Sequence, residues 1–80
     1  MSTFDLRLFN INRAIEKAGG VAQLGKALGV THQAVCLWRK KGVVPVERAV
    51  DIERLYGIPA VNIVSPQLAS MVRRMAAQNA

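Results

Sequence analysis

Between Leu24 and Trp38 the chain places Leu24, Leu28, Gly29, Val30, Val35 and Trp38 at intervals that short helices can bring together only by doubling back on each other. Leu24 and Leu28 share one face of a helix running from about Val21 to Leu28, and Val35 and Trp38 share one face of a helix from His32 to about Lys40. Gly29 stops the first of these, because a residue without Cβ leaves a helix at positive φ without steric penalty. Thr31 is an N-cap candidate for the second. Two short helices joined by a turn containing glycine must cross steeply, at about 90 to 120°, if their apolar faces are to meet. Val30 then plugs the gap under the turn, and Gly25 falls where the helices cross most closely. Glycine in a helix interior costs roughly 1 kcal/mol relative to alanine, so close approach accounts for its presence.

The rest of the chain is punctuated as clearly. Asn10 can cap a helix carrying Ile11, Ala14, Ile15 and Ala18 at helical spacing, ended by Gly19 and Gly20. Pro45 suits the entry to a helix running Val46 to Tyr56, and Glu47 favours the positive end of its dipole. That helix is expected to bury Ala49, Ile52 and Tyr56, with Val46, Val50 and Leu55 beside them. Gly57 and Pro59 stop it, and a short helical turn follows at Pro59 to Ile63. Ser65 and Pro66 open a last helix from Pro66 to about Gln78, with Leu68, Met71, Val72 and Met75 on one stripe. The first ten residues are ambiguous: Phe4, Leu6 and Leu8 alternate with Asp5 and Arg7 as in a strand, while Phe4, Leu8 and Ile11 also suit an early helix start. The alternation favours a short strand or extended arm. The expected architecture is all-α, a compact bundle of about five short helices. Residues 1–10 form an arm or strand, 11–63 a domain containing the paired helices, and 64–80 an extra C-terminal helix.

Composition narrows the classes of function. Eighty residues have room for one core, and a chain this short buries only ~60% of its unfolded surface. Apolar residues are 51% of the chain but aromatic ones 5%, so that core is built from Ala, Val, Leu and Ile. One Cys makes no internal disulfide, and with one His it assembles no four-ligand zinc site; no metal or cofactor is expected. The longest strictly apolar run is Ala34 to Trp38, far short of the ~20 residues of a membrane span. No secretory h-region can be drawn in Met1 to Asn10, which makes the cytoplasm the expected compartment. No Ser or Cys nucleophile has a spaced His and acid partner and no glycine-rich phosphate loop occurs, so no enzymatic activity is expected.

Charge placement says more than the total. Eleven Lys and Arg against five Asp and Glu give a net charge of +6. The acids are Asp5, Glu16, Glu47, Asp51 and Glu53, which leaves Lys17 through Val46 without a carboxylate while holding Lys17, Lys26, Arg39, Lys40 and Lys41. This is either a footprint for a polyanion or a solvated face that lacks acids. The outer face of the His32 helix sharpens the choice. It presents Thr31, His32, Gln33, Cys36, Leu37 and Lys40, polar or small near the start and cationic near the end. That order matches a helix in the DNA major groove, its first side chains on base edges and its end on phosphates.

Each position has a bland alternative. Gln33 is the best base reader, because its amide pairs bidentately with adenine N6 and N7; otherwise it meets phosphate or water. His32 can donate to a base or phosphate, or be an ordinary surface residue. Thr31 is first of all the cap, with base contact secondary. A thiol makes a weak contact, so Cys36 reads a base or only packs against the sugar-phosphate wall. Leu37 meets a thymine methyl, a partner surface or nothing. Arg39, Lys40 and Lys41, with Lys26 and Lys17 as weaker candidates, bind phosphate or form a solvated cluster. Trp38 belongs to the core rather than to a base stack, and Met71 and Met75 to packing.

The segment AGGVAQLGKALGVTHQAVCLWRKKGVVP, followed by VERAVDIERLYGIP, resembles the helix-turn-helix of the lambda-repressor-like superfamily, and more closely the small Cro-like phage regulators and the YdaS-type antitoxin group. The likeness covers about Ile11 to Ile63 and rests on Leu24, Leu28, Gly29, Val30, Val35 and Trp38 together. Members commonly carry Ala at the position of Gly25 and often Gln at that of Val21; without that Gln, only backbone N–H groups at the helix start remain to meet a phosphate. The resemblance implies a sequence-specific double-stranded DNA binder acting at the nucleoid, most simply a repressor that occupies promoter DNA. One helix-turn-helix reads too few base pairs to find a genomic site alone, so a homodimer on half-sites about 34 Å apart is expected. Leu68, Met71, Val72 and Met75 are the dimerisation candidates, unless that stripe packs on its own domain. The antitoxin likeness implies an alternative in which the chain binds a toxin protein and DNA binding is secondary.

Overall fold

Ser2 sets the start of the first helix. In the computed structural model, which describes the backbone of residues 2–78 and the side chains of residue 2 and residues 4–74, its hydroxyl accepts the Asp5 N–H at 3.1 Å. Helix α1 then runs Thr3–Ala18 without a break. The alternation that favoured a strand or arm over residues 1–10 is therefore overridden, and the reason is tertiary. Phe4 lies against the backbone of Gly42, so closely that a Cβ on Gly42 would collide with its ring. One turn on, Arg7 donates through Nε to the Gly42 carbonyl at 2.8 Å. Asn10, expected as a cap, is instead buried in mid-helix, where its amide donates to the Leu6 carbonyl at 3.0 Å and so finds a partner inside its own helix.

The remaining helices follow the expected punctuation: α2 Val21–Leu28, α3 His32–Lys41, α4 Val46–Tyr56, a 3-10 turn at Ala60–Asn62, and α5 Pro66–Gln78. The described residues contain helices and no strand. Gly29 and Gly42 end α2 and α3 in the left-handed region, at φ 71° and 72°. No helix among the described residues is long and apolar enough to cross a membrane.

One core joins all of these elements. Ile11, Leu24, Val35, Val44, Ile52, Ile58, Ile63 and Val64 are essentially inaccessible to water, with Trp38 buried beside them. Burying a Leu, Ile or Val contributes about 1.5 to 3 kcal/mol, so aliphatic contacts supply most of the driving force in a chain this poor in aromatics. Val50 and Leu55, expected beside the core, are instead both 50% exposed, because α4 turns only its Ala49 and Ile52 side inward.

Polar contacts fix the outer elements. The Glu53 carboxylate accepts the Ala60 N–H at 2.7 Å and ties the 3-10 turn to α4. Arg48 donates to the Leu28 carbonyl at the end of α2 and stands 3.7 Å from Asp51. Val44 donates to the Ile63 carbonyl at 2.7 Å, joining the connector after α3 to the segment before α5. α5 packs chiefly on the 3-10 turn and buries Ala69, with Val72 half-buried.

Candidate functional site

The pairing of α2 with α3 is the most extensive helix contact among the described residues. Leu24 and Leu28 from α2 meet Val35 and Trp38 from α3 in the shared core, with Val30 and Ala34 packed against it. Gly25 explains how closely the two approach. A Cβ there would sit 2.9 Å from the Val30 carbonyl oxygen and 3.4 Å from that of Thr31, both backbone atoms of the turn. The close approach expected at Gly25 is thus to the turn itself. The same glycine's carbonyl accepts the Val30 N–H at 2.9 Å, which folds the turn back onto α2.

With Val35 and Trp38 committed inward, the opposite side of α3 has no freedom but to face water. His32, Gln33, Cys36, Leu37 and Lys40 are all exposed and together line one shallow, open depression along the helix. The Thr31 hydroxyl accepts the Ala34 N–H at 3.1 Å, the capping role expected of it. Lys26 on α2 and Arg39 and Lys41 at the end of α3 are also exposed, but lie outside that depression. Lys17 is not part of the same face, because its ammonium donates to the Tyr56 carbonyl at 3.2 Å at the end of α4.

Two of the five acids are engaged within and beside α4: Asp51 by Arg48 and, at 3.0 Å, by Arg54, while Glu53 holds the Ala60 N–H. Among the described residues, Lys26, Arg39, Lys40 and Lys41 form no ion pair, so no carboxylate neutralises their positive charge at contact distance. The start of α2 adds to it, because Gly20 provides no side-chain cap for the first N–H groups.

Of the dimerisation candidates, Leu68 and Met71 are exposed and Val72 is half-buried against the domain; the Met75 side chain lies outside the described residues. The stripe on α5 is therefore split between packing and solvent. A second feature had no place in the sequence reading: a groove formed by the end of α3, the connector Val43 to Pro45 and the first turn of α5, with Leu37 on its edge. The signal available for it was an apolar connector, Val43-Val44-Pro45, next to the apolar Leu37.

A sequence model of the family described as bacterial toxin YdaS matches residues 11–62, well over half of the chain. No curated protein and no solved structure matches it significantly.

Proposed function

We propose that this chain, which belongs to the family described as bacterial toxin YdaS, is a sequence-specific double-stranded DNA-binding regulator of transcription whose α2 and α3 form a helix-turn-helix of the lambda-repressor-like kind. The observation that carries the reading is the exposed stripe His32, Gln33, Cys36, Leu37 and Lys40 on a helix anchored by Val35 and Trp38, with Lys26, Arg39 and Lys41 exposed nearby in no ion pair among the described residues. A rigid rod of about helix width, polar at its start and cationic at its end, suits the major groove.

In this reading Gln33 and His32 meet base edges, with the Gln33 amide pairing to adenine. Cys36 and Leu37 line the wall behind them, Leu37 against a thymine methyl. Arg39, Lys40, Lys41 and Lys26 meet phosphates, helped by the uncapped start of α2, and set the register without carrying sequence information. Thr31 holds the start of α3 in place. Two copies on adjacent half-sites supply the specificity that one lacks, and occupation of a promoter is sufficient for Cro-like repression. The reaction is binding alone; no catalytic step is assigned.

The test is a titration against random duplex and against the DNA upstream of the chain's own gene. A preference of ~10³ or more for the cognate site supports the reading, and equal affinity for both overturns it.

The family description favours a second reading, in which the chain is one member of a toxin–antitoxin pair and DNA binding regulates the pair's own promoter. Expressing the chain and the product of the adjacent gene separately and together separates the two. Growth arrest by either one alone that the other relieves supports the pair, and growth unaffected in all three cases removes it.

A further inference from the structure

We propose that the groove bounded by Leu37, Trp38, Lys41, Val43, Pro45 and Leu68 docks an acidic amphipathic segment of a partner protein, and that its occupant and DNA exclude each other. Three observations lead there.

The groove is apolar and uncovered. Leu37 is 46% exposed at one edge, Leu68 37% exposed at the other, and Met71 lies one turn further along α5 at 55%. Leu37 and Leu68 line the one groove together, and an apolar patch rimmed by polar groups marks a docking surface. Its shape, two helix ends bridged by an apolar connector, suits the apolar face of an amphipathic segment.

The charge around it selects the occupant. Its lining includes Lys41 and no carboxylate. The segments that build it come from the acid-free stretch ending at Val46 and from the chain beyond Glu53, where no Asp or Glu occurs. Arg39 and Lys40 precede Lys41 on α3. A second copy docked through the same face would bring Lys41 toward its own counterpart, although the stripe on α5 first pointed to dimerisation. A partner with leucine-like anchors and Asp or Glu around them meets both the apolar floor and the cationic edge at Lys41, with charge governing encounter and specificity.

Leu37 connects the groove to the DNA-facing stripe, since it lines both depressions. A segment seated over Leu37 and Lys41 occupies the end of α3 that DNA would need. Only this exclusion rests on the DNA-binding reading; the docking itself does not.

The probe is a fluorescent amphipathic peptide with Leu at helical spacing and Glu elsewhere, compared with the same peptide carrying Lys for Glu and with a scrambled acidic peptide. Binding to the full chain is followed by anisotropy and by amide chemical shifts. The acidic amphipathic peptide is expected to bind at least ~10-fold more tightly than either control, with shifts centred on Leu37, Val43 and Leu68, and to be displaced by duplex DNA. Leu68→Glu and Lys41→Glu should each weaken it about 10-fold; both positions are exposed, and an unchanged far-ultraviolet spectrum confirms the fold. Equal binding of the scrambled acidic peptide, shifts confined to His32 through Lys40, or no binding overturns the proposal. So does concentration-dependent self-association that Leu68→Glu abolishes, which would give the groove to a second copy. If the peptide binds as expected but random and cognate duplexes both fail to bind, the DNA reading falls and the docking site stands.

Discussion

Gly25 sets two contributions against each other. Helix propensity alone says that Gly25→Ala stabilises α2 by about 1 kcal/mol. The Val30 carbonyl, 2.9 Å from where the new methyl would lie, says the opposite, since backbone on a hydrogen-bonded turn cannot swing aside as a flexible side chain does. Overpacking a tight site costs about 1 to 3 kcal/mol, so the net effect in urea denaturation should be destabilising. A stabilised variant would mean that the turn yields. Other single residues test the interface. Gln33→Ala should reduce discrimination between cognate and random duplex by about 1 to 3 kcal/mol, whereas Lys40→Ala should weaken both alike. If the two variants behave identically, Gln33 reads no base. At this scale the sequence was informative about α3, because Val35 and Trp38 have only one way to point. It misplaced Asn10 at a helix start, because its actual partner is a carbonyl of its own helix and its burial depends on what packs above it.

Among elements, the most instructive is the first turn and a half of α1. Its residues carry both a period of two and a period near 3.6, and local propensity does not choose between them. The end of α3 chooses: Gly42 leaves a carbonyl that Arg7 caps and a bare backbone surface that Phe4 covers. Replacing Arg7 with Ala should therefore cost about 1 to 2 kcal/mol, the value of a partly buried hydrogen bond to a charged donor, and should loosen amide protection at the end of α3 as well as in α1. Protection lost from α1 alone would show that the two are not coupled. A parallel case is α5. Val64 and Ala69 are buried and Ile63 precedes them, so removing residues 64–80 uncovers part of the common core. That truncation is expected to abolish cooperative unfolding. If it leaves a sharp transition, α5 is an appendage and its burial of Ala69 contributes nothing.

For the molecule as a whole, charge asymmetry is the property with the clearest consequence. Asp51 and Glu53 are engaged on α4, whereas the cations around α3 form no ion pair among the described residues. Duplex binding should accordingly weaken with salt, with log K falling by about 0.9 per phosphate neutralised for each unit of log salt. Lys26→Ala, Lys40→Ala and Lys41→Ala should each reduce that slope by about one contact. A slope that none of them changes would place the phosphates elsewhere on the surface. The Cα radius of gyration, 12.0 Å, is close to the ~12 Å expected for a compact chain of this length, and these cations sit on α2 and α3 rather than on a tail.

What the sequence determined by itself was everything that local stereochemistry and periodicity decide. Glycine at helix ends, Thr31 as a cap and apolar residues three and four apart settle where α2, α3, α4 and α5 begin and end, and which side of α3 turns inward. Tertiary structure alone decided the matters in which two distant segments meet: the helical start of the chain, the exposure of Val50 and Leu55, the split of the α5 stripe, and the groove beside Leu37. The physical reason is the range of the forces. Backbone sterics and capping act within a turn of the residue that causes them, whereas burial is a property of a surface, and a surface exists only once its two sides have been brought together.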